Sequence, residues 1–219
     1  MTGRAAKRAF DLTFASVGLL LLAPVFLIVA TAVKLDSRGP VFFTQERVGR
    51  DGRLFRMIKF RTMVVGAARL GTNISPTRDP RLTRVGAFLR RSFLDEAPQL
   101  WNVVKGDMSL VGPRPETPDY AALLSDHERA ILSVRPGMTG PSTVAYSRDE
   151  AAILATQEDP ESYYRNRLLH ERVAVDLRYL DQPALSQDVR ILARTALLVL
   201  RGLGVLPSPD AVASRTGSA

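Results

Sequence analysis

The longest apolar stretch of the chain, residues 12–33, holds 22 residues and no charge, enough for a helix to cross the hydrocarbon of a bilayer. Arg4, Lys7 and Arg8 precede it and Lys34, Arg38, Arg47 and Arg50 follow it, so positive charge at both ends favours neither orientation of a single span. Pro24 lies near its middle, where the ring and the missing N–H predict a sharp kink. A kinked helix with two basic ends can enter and leave a membrane by the same face. An ordinary kinked span stays open as well. So does a secretory signal, since Ala30-Thr31-Ala32 has the small-x-small form of a cleavage site, although the apolar run exceeds the roughly 7–15 residues of a signal core.

Beyond residue 40 the period changes. Two runs flank Asp51-Gly52, a hairpin turn pair, and the second alternates apolar with basic positions, which predicts a β-hairpin. Lys59 and Arg61, two apart, then share a strand face. Residues 62–77 lack a pattern and predict loop. Thr83 caps a helix to about Arg91, with Val85, Phe88 and Leu89 on its apolar face. Pro98 is tolerated only in a first helical turn and Gly106 is a natural stop, so residues 96–105 predict a short helix with Asp95 at its N-cap. Residues 108–112 predict a buried strand, Thr117-Pro118 opens a helix to Leu132, and Asp159-Pro160 opens a mostly helical remainder to about Arg201. Within it Val189, Leu192, Ala193, Ala196, Leu197 and Leu200 recur at helical spacing, a face that suits the membrane surface and core packing equally. Residues 202–219, rich in Pro, Gly and Ser, predict a frayed tail.

Composition narrows the chemistry. A chain of 219 residues suits one domain with a real core. Cysteine is absent and the two histidines, His127 and His170, lack ligand spacing, which argues against disulfides and zinc. A formal charge of +8 favours anionic lipid headgroups, phosphate-bearing substrates or nucleic acid, but the basic residues are scattered among acidic ones with no stacking motif, which argues against nucleic acid.

The candidate chemistry centres on Asp95-Glu96. Two carboxylates at the positive end of a helix, beside Arg90 and Arg91, suit phosphate and a divalent metal. An aspartate there can attack phosphorus and form an acyl phosphate. A simple helix cap with a solvated glutamate is the plainer alternative. Lys59 and Arg61 are candidates to contact phosphates together, against a solvated strand edge; Arg114, held extended between Pro113 and Pro115, is a candidate to grip a diphosphate or nucleotide, against a solvent-facing turn.

The run from Arg90 through Asp95-Glu96-Ala97-Pro98-Gln99-Leu100-Trp101-Asn102 to Pro113-Arg114-Pro115 resembles the signature of the bacterial sugar transferases, the monotopic phosphoglycosyl transferases. Lys59-Phe60-Arg61-Thr62-Met63 resembles a second motif of that family, and Arg135-Pro136-Gly137-Met138-Thr139-Gly140-Pro141 a third. The resemblance covers residues 4–200 and matches the minimal catalytic module, without the extra N-terminal membrane helices of larger relatives. It implies an α+β, mainly helical membrane-associated domain: a re-entrant helix–break–helix at residues 1–36 with its break at Ala23-Pro24, where relatives usually carry Ser-Pro, then a catalytic region at residues 37–201 with a small β-hairpin and amphipathic surface helices, then a disordered tail at residues 202–219. It further implies a UDP-sugar donor, a polyprenyl phosphate acceptor, magnesium held by Asp95 and Glu96, and attack by Asp95 with release of UMP. Glu96 would position the metal or move a proton; Lys59, Arg61, Arg90 and Arg114 would bind phosphate, joined by Arg148 in place of an arginine that many relatives carry in the third motif. Phe93 and Ala97 stand where relatives often have Ser and Leu. The implied location is the cytoplasmic face of the bacterial inner membrane, in contact with membrane lipids, with the sugar and the oligomeric state, including a homodimer, left open. A membrane-attached scaffold without chemistry and a nucleic-acid-binding protein are the rival readings.

Overall fold

A computed structural model describes residues 2–67, 79–147 and 149–206 of the chain. Most of the segment expected to be loop at residues 62–77, most of the expected tail, and Arg148 lie outside the described residues.

Helix α1, Thr2–Asp36, is long and apolar enough to cross a membrane. It runs through Pro24 without interruption, so the expected break at Ala23-Pro24 is absent and a single helix forms. The fixed φ of proline suits a helix, and the ring removes only one hydrogen bond from a segment held by packing on both sides. Asp11, Ala15, Val29 and Val33 are buried along one stripe, while Phe14, Val17, Leu20, Leu21, Leu27 and Ile28 on the other faces are exposed.

The hairpin forms as the pattern predicts. Strand β1, Phe42–Val48, pairs antiparallel with β2, Leu54–Phe60, in a register from Phe42 opposite Phe60 to Val48 opposite Leu54. Asp51 at φ 59° and Gly52 at φ 75° make the reversal. Opposite residues share a face, so Gln45, Arg47, Met57 and Lys59 look the same way. Arg61 does not join them. The strand ends at Phe60, and the buried Arg61 guanidinium donates to the carbonyls of Val33, Ser37 and Arg38 and to Ser37 Oγ, at 2.7–3.2 Å. A cation at the carbonyl-rich end of α1 is favourable there, which removes Arg61 from the expected phosphate pair.

Thr83 caps α2, Arg84–Ser92, by accepting from the Gly86 amide at 2.9 Å. Phe93, at φ 59°, then turns the chain into a 3-10 turn, Leu94–Glu96, which leads to α3, Gln99–Lys105, ended by Gly106 at φ 94°. Asp95 is therefore inside the 3-10 turn rather than the N-cap of a helix from residue 96. Pro98 occupies the α3 N-cap position, and the intervening Ala97 keeps helical dihedrals.

Strand β3, Ser109–Val111, pairs in parallel with β4, Gly137–Thr139. Between them the helix expected from Pro118 to Leu132 is cut short: α4 spans only Pro118–Ala121, and a 3-10 segment follows at Glu128–Ser133. Glu128 Oε2 accepts from both the amide and the hydroxyl of Ser125, at 2.9 and 2.7 Å, a local turn that competes with continued helix.

The remainder comprises α5, Pro141–Tyr146, α6, Glu150–Ala155, α7, Pro160–Tyr163, a π-helical turn at Tyr164–Leu168, α8, Leu169–Asp181, and α9, Leu185–Gly202. Tyr120, Ile131, Leu154, Leu168, Leu169 and Val173 form one core. A second joins Ala15 to Leu100, Val103, Met108 and Val111, and a third joins Val29 and Val33 to Phe60 and Leu89. Helix α9 divides between the two readings of its pattern: Ile191 and Leu192 pack inward, whereas Val189 and Leu197 are exposed. A buried polar cluster ties it to α1, with Lys7 Nζ 2.9 Å from Asp11 and 3.1 Å from Asp188, and Tyr179 donating to Asp188 at 2.6 Å.

At the β3–β4 pairing a Cβ on Gly137 would clash with both the Gly112 nitrogen and the Thr139 oxygen. Gly137→Ala must push the strands apart and should destabilise the fold by about 3 kcal/mol, the upper range for overpacking, as read by denaturant unfolding. Unchanged stability would show that the two strands are not locked together.

Candidate functional site

Asn102, completely buried, sets the site's geometry. Its Oδ1 accepts from the Ile58 amide at 3.1 Å and its Nδ2 donates to the Arg56 carbonyl at 2.8 Å, so the side chain of α3 satisfies the free edge of β2. That docking brings the 3-10 turn against the end of the hairpin. Lys59 Nζ donates to Glu96 Oε1 at 2.6 Å, with both side chains 18% exposed.

Arg114 arrives from the other side on a fixed strap. The Pro113 carbonyl accepts from the Gly137 amide at 2.8 Å, the Arg114 amide donates to Asp176 Oδ2 at 3.1 Å, and the Pro115 carbonyl accepts from Arg47 Nη1 at 3.0 Å. Asp176 also accepts from the Ser142 amide and hydroxyl, at 3.0 and 2.7 Å, so one buried carboxylate joins the strap to α5. Strand, turn and strap border a narrow cleft lined by Arg47, Met57, Lys59, Glu96, Gln99, Arg114 and Met138 among others.

The adjacent carboxyls differ. Burial pushes Asp95 up and Glu96 adds to this, with Lys59 and Arg90 opposing, so Asp95 holds its proton above the usual aspartate range. Burial also disfavours ionised Glu96, but Lys59 and Arg114 together with the Lys59 hydrogen bond outweigh it and hold Glu96 below the usual range. Lys59 is the largest attractive charge on both. Arg114 is itself disfavoured by burial, but Glu96, Glu150 and Glu116 together hold its proton more firmly than usual. Burial and repulsion from Arg114 pull Arg47 down.

Of the expected residues, Lys59, Glu96 and Arg114 meet in the cleft. Asp95 is 7% exposed and sits one residue back from its lining, with Arg90 among the charges acting on it. Arg61 is elsewhere, and Arg148 is outside the described residues. Two cleft residues were missed, Arg47 and Gln99. The first follows from the hairpin register, which places it on the Lys59 face; the second follows Glu96 by three residues, a helical repeat.

Among the described residues no group of three His, Cys, Asp or Glu side chains forms a complete metal cage. The donor set nevertheless fits magnesium, which is bound through one or two carboxylates with substrate phosphates and water completing its shell. Lys59 engages one oxygen of Glu96, leaving the other oxygen and the Asp95 carboxylate as donors.

Residues 2–202 match the bacterial sugar transferase family. The chain is 42% identical over 196 residues to an undecaprenyl-phosphate glucose phosphotransferase of Komagataeibacter xylinus, covering 86% of this chain and 35% of that protein. It is 38% identical over 199 residues to a UDP-glucose:undecaprenyl-phosphate glucose-1-phosphate transferase of Escherichia coli, covering 88% and 39%. Over 217 residues it is 37% identical to the exopolysaccharide production protein ExoY of Rhizobium meliloti, covering 91% and 88%. The chain thus spans well under half the length of the first two.

A raised Asp95 has a thermodynamic consequence. Its ionisation is harder in the folded state, so its destabilising contribution sets in as pH rises above the ordinary aspartate value and is complete above the folded value. Asp95→Asn should therefore stabilise the protein at pH 7 by roughly 3 kcal/mol, the worth of the rise from 3.8 to about 6, with the gain vanishing below the ordinary aspartate range. Thermal unfolding across pH measures it, and a variant that is less stable at neutral pH would contradict the assignment.

Proposed function

The chain belongs to the bacterial sugar transferase family, and on that premise we propose that it moves a sugar 1-phosphate from a UDP-sugar to a polyprenyl phosphate through an aspartyl phosphosugar, in the assembly of a bacterial surface or protein-linked glycan. The observation that carries this reading is the pair of unlike carboxyls around Lys59, beside a cleft where Arg47 and Arg114 supply positive charge for a diphosphate.

The Asp95 carboxylate attacks the phosphorus bearing the sugar, forming an O–P bond while the bridging P–O bond breaks and its electron pair leaves on UMP. An oxygen of the lipid phosphate then attacks the same phosphorus and expels the Asp95 carboxylate, restoring it. A carboxylate whose pKa is raised is the stronger nucleophile once ionised. Lys59 and Arg114 keep Glu96 ionised, and the guanidinium of Arg114, carried on a backbone anchored by Asp176, has the planar fork that pairs with two phosphate oxygens at once. Asp95 and Glu96 would hold magnesium, which when bound would help neutralise the transferring phosphoryl oxygens.

The membrane reading rests on α1. Buried residues on both sides of Pro24, Asp11 and Ala15 on one and Val29 and Val33 on the other, pack on the same catalytic body, while Phe14, Val17, Leu20, Leu21, Leu27 and Ile28 leave an apolar face exposed. A helix crossing to the far side of a bilayer would carry one half away from that body. This favours insertion by one face, with the body on the cytoplasmic side of the inner membrane where UDP-sugars are made.

With donor and magnesium but no acceptor, Asp95 should gain a sugar-phosphate mass and UMP should appear in at most a near-stoichiometric burst. With polyprenyl phosphate, UMP and lipid product should appear together, and Asp95→Asn should lose both adduct and turnover. A scaffold or nucleic-acid-binding protein would release no UMP; efficient lipid product from an active Asp95→Asn would instead indicate direct attack by the lipid phosphate.

Single cysteines at Arg4 and Arg38, both exposed in this cysteine-free chain, test the insertion. Neither should react with an impermeant thiol reagent outside intact cells, and labelling of one alone would establish a span.

A further inference from the structure

Two buried carboxamides lie three residues apart on α3 and differ in one respect. Asn102 is fully committed, to the Ile58 amide and the Arg56 carbonyl. Gln99, 2% exposed, lines the cleft and its Nε2 is buried without a hydrogen-bond partner. An unmet donor of this kind costs roughly 1–3 kcal/mol, a cost that packing alone gives no reason to keep.

We propose that Gln99 is the residue that reads the donor's sugar, by hydrogen bonding to one of its hydroxyls. The assignment rests on the transferase reading above and deepens it. Lys59, Arg47 and Arg114 bring charge to the same cleft, and charge-assisted bonds to phosphate oxygens are about twice as strong as neutral ones. A neutral amide adds little to that set. What it matches is a neutral group that can both accept from Nε2 and donate to Oε1, as a hydroxyl does. Position points the same way. Residues 94–105 keep helical dihedrals through Ala97 and Pro98, so Gln99 follows Asp95 by four residues and lies about one turn from it. The phosphorus that Asp95 attacks carries the sugar, which places sugar hydroxyls, rather than the base two phosphates away, within reach of that turn.

The test compares wild type with Gln99→Met, which keeps length and apolar volume but loses the amide. With the UDP-sugar that wild type turns over best, KM should rise about tenfold, the loss of one good hydrogen bond to a desolvated partner. Inhibition by UDP, which lacks the sugar, should stay within about twofold and also shows that the variant's cleft is intact. Among monodeoxy analogues of that donor, one should be penalised in wild type and bind wild type and variant alike, the signature of a direct pair. An unchanged KM, or UDP inhibition weakened as much as donor binding, overturns the assignment: the first makes Gln99 structural, the second places it on phosphate or base. Absence of UMP release by wild type with every UDP-sugar would fell the transferase reading and this inference together.

Discussion

The site depends on a side chain that does no chemistry. A two-stranded ribbon leaves one edge of β2 with unpaired N–H and C=O groups, and a buried edge of that kind is costly. Asn102 supplies a donor and an acceptor at the spacing of that edge, bonding Ile58 and Arg56, the residues just before Lys59. Helix α3 is thereby fixed to the strand at one rotation and one height. The turn leading into it can place Glu96 against Lys59 at 2.6 Å only because that relation is rigid. The far end of α3 is held by two arginines, Arg8 on the Val103 and Val104 carbonyls and Arg135 on Gly106, which satisfy the helix's last acceptors from α1 and from the loop before β4.

Given that frame, the different behaviour of adjacent carboxyls follows from where each points. Glu96 faces the cleft, where Lys59 and Arg114 offset the cost of its burial; Asp95, on the same turn, is buried more than it is compensated. The site therefore contains one permanent anion and one carboxylate held at a higher proton affinity, a division set by the charges around each side chain. The strap carrying Arg114 preserves it, because Asp176 anchors the strap through its backbone and leaves the guanidinium for the cleft.

Local signals were legible where local forces decide. The Asp51-Gly52 reversal, the Thr83 cap, the Gly106 stop and the buried strand at residues 109–111 follow from backbone and capping preferences that act over a few residues. The backbone around Asp95-Glu96 was legible only in outline: Phe93 in the left-handed region and Pro98 as N-cap shift the helix start by three residues from the expected one. What escaped were pairings between distant segments. Arg61 shares a period with Lys59 yet turns away, because the end of α1 offers it three carbonyls. Arg47 looked like one more flanking charge until the hairpin register placed it opposite Phe55, on the face that carries Lys59.

The fate of the arginines bears on how the excess charge should be understood. The formal charge of +8 suggested a surface built for phosphates and lipid headgroups, but several arginines are engaged within the fold: Arg8, Arg61 and Arg135 close helix or loop carbonyls, Arg47 holds the strap, and Arg172 pairs with Glu150 at 2.7 Å. Arg8 and Arg61 grip opposite ends of the α1 contact, one by reaching from α1 to α3 and the other by closing the last turn of α1 from the residue after β2. Because α3 and β2 are also the elements joined by Asn102, the helix with the exposed apolar face and the site with the two carboxyls belong to a single braced unit. A tilt of α1 would therefore pull on both ends of the site, through Arg8 on α3 and through Arg61 beside the hairpin.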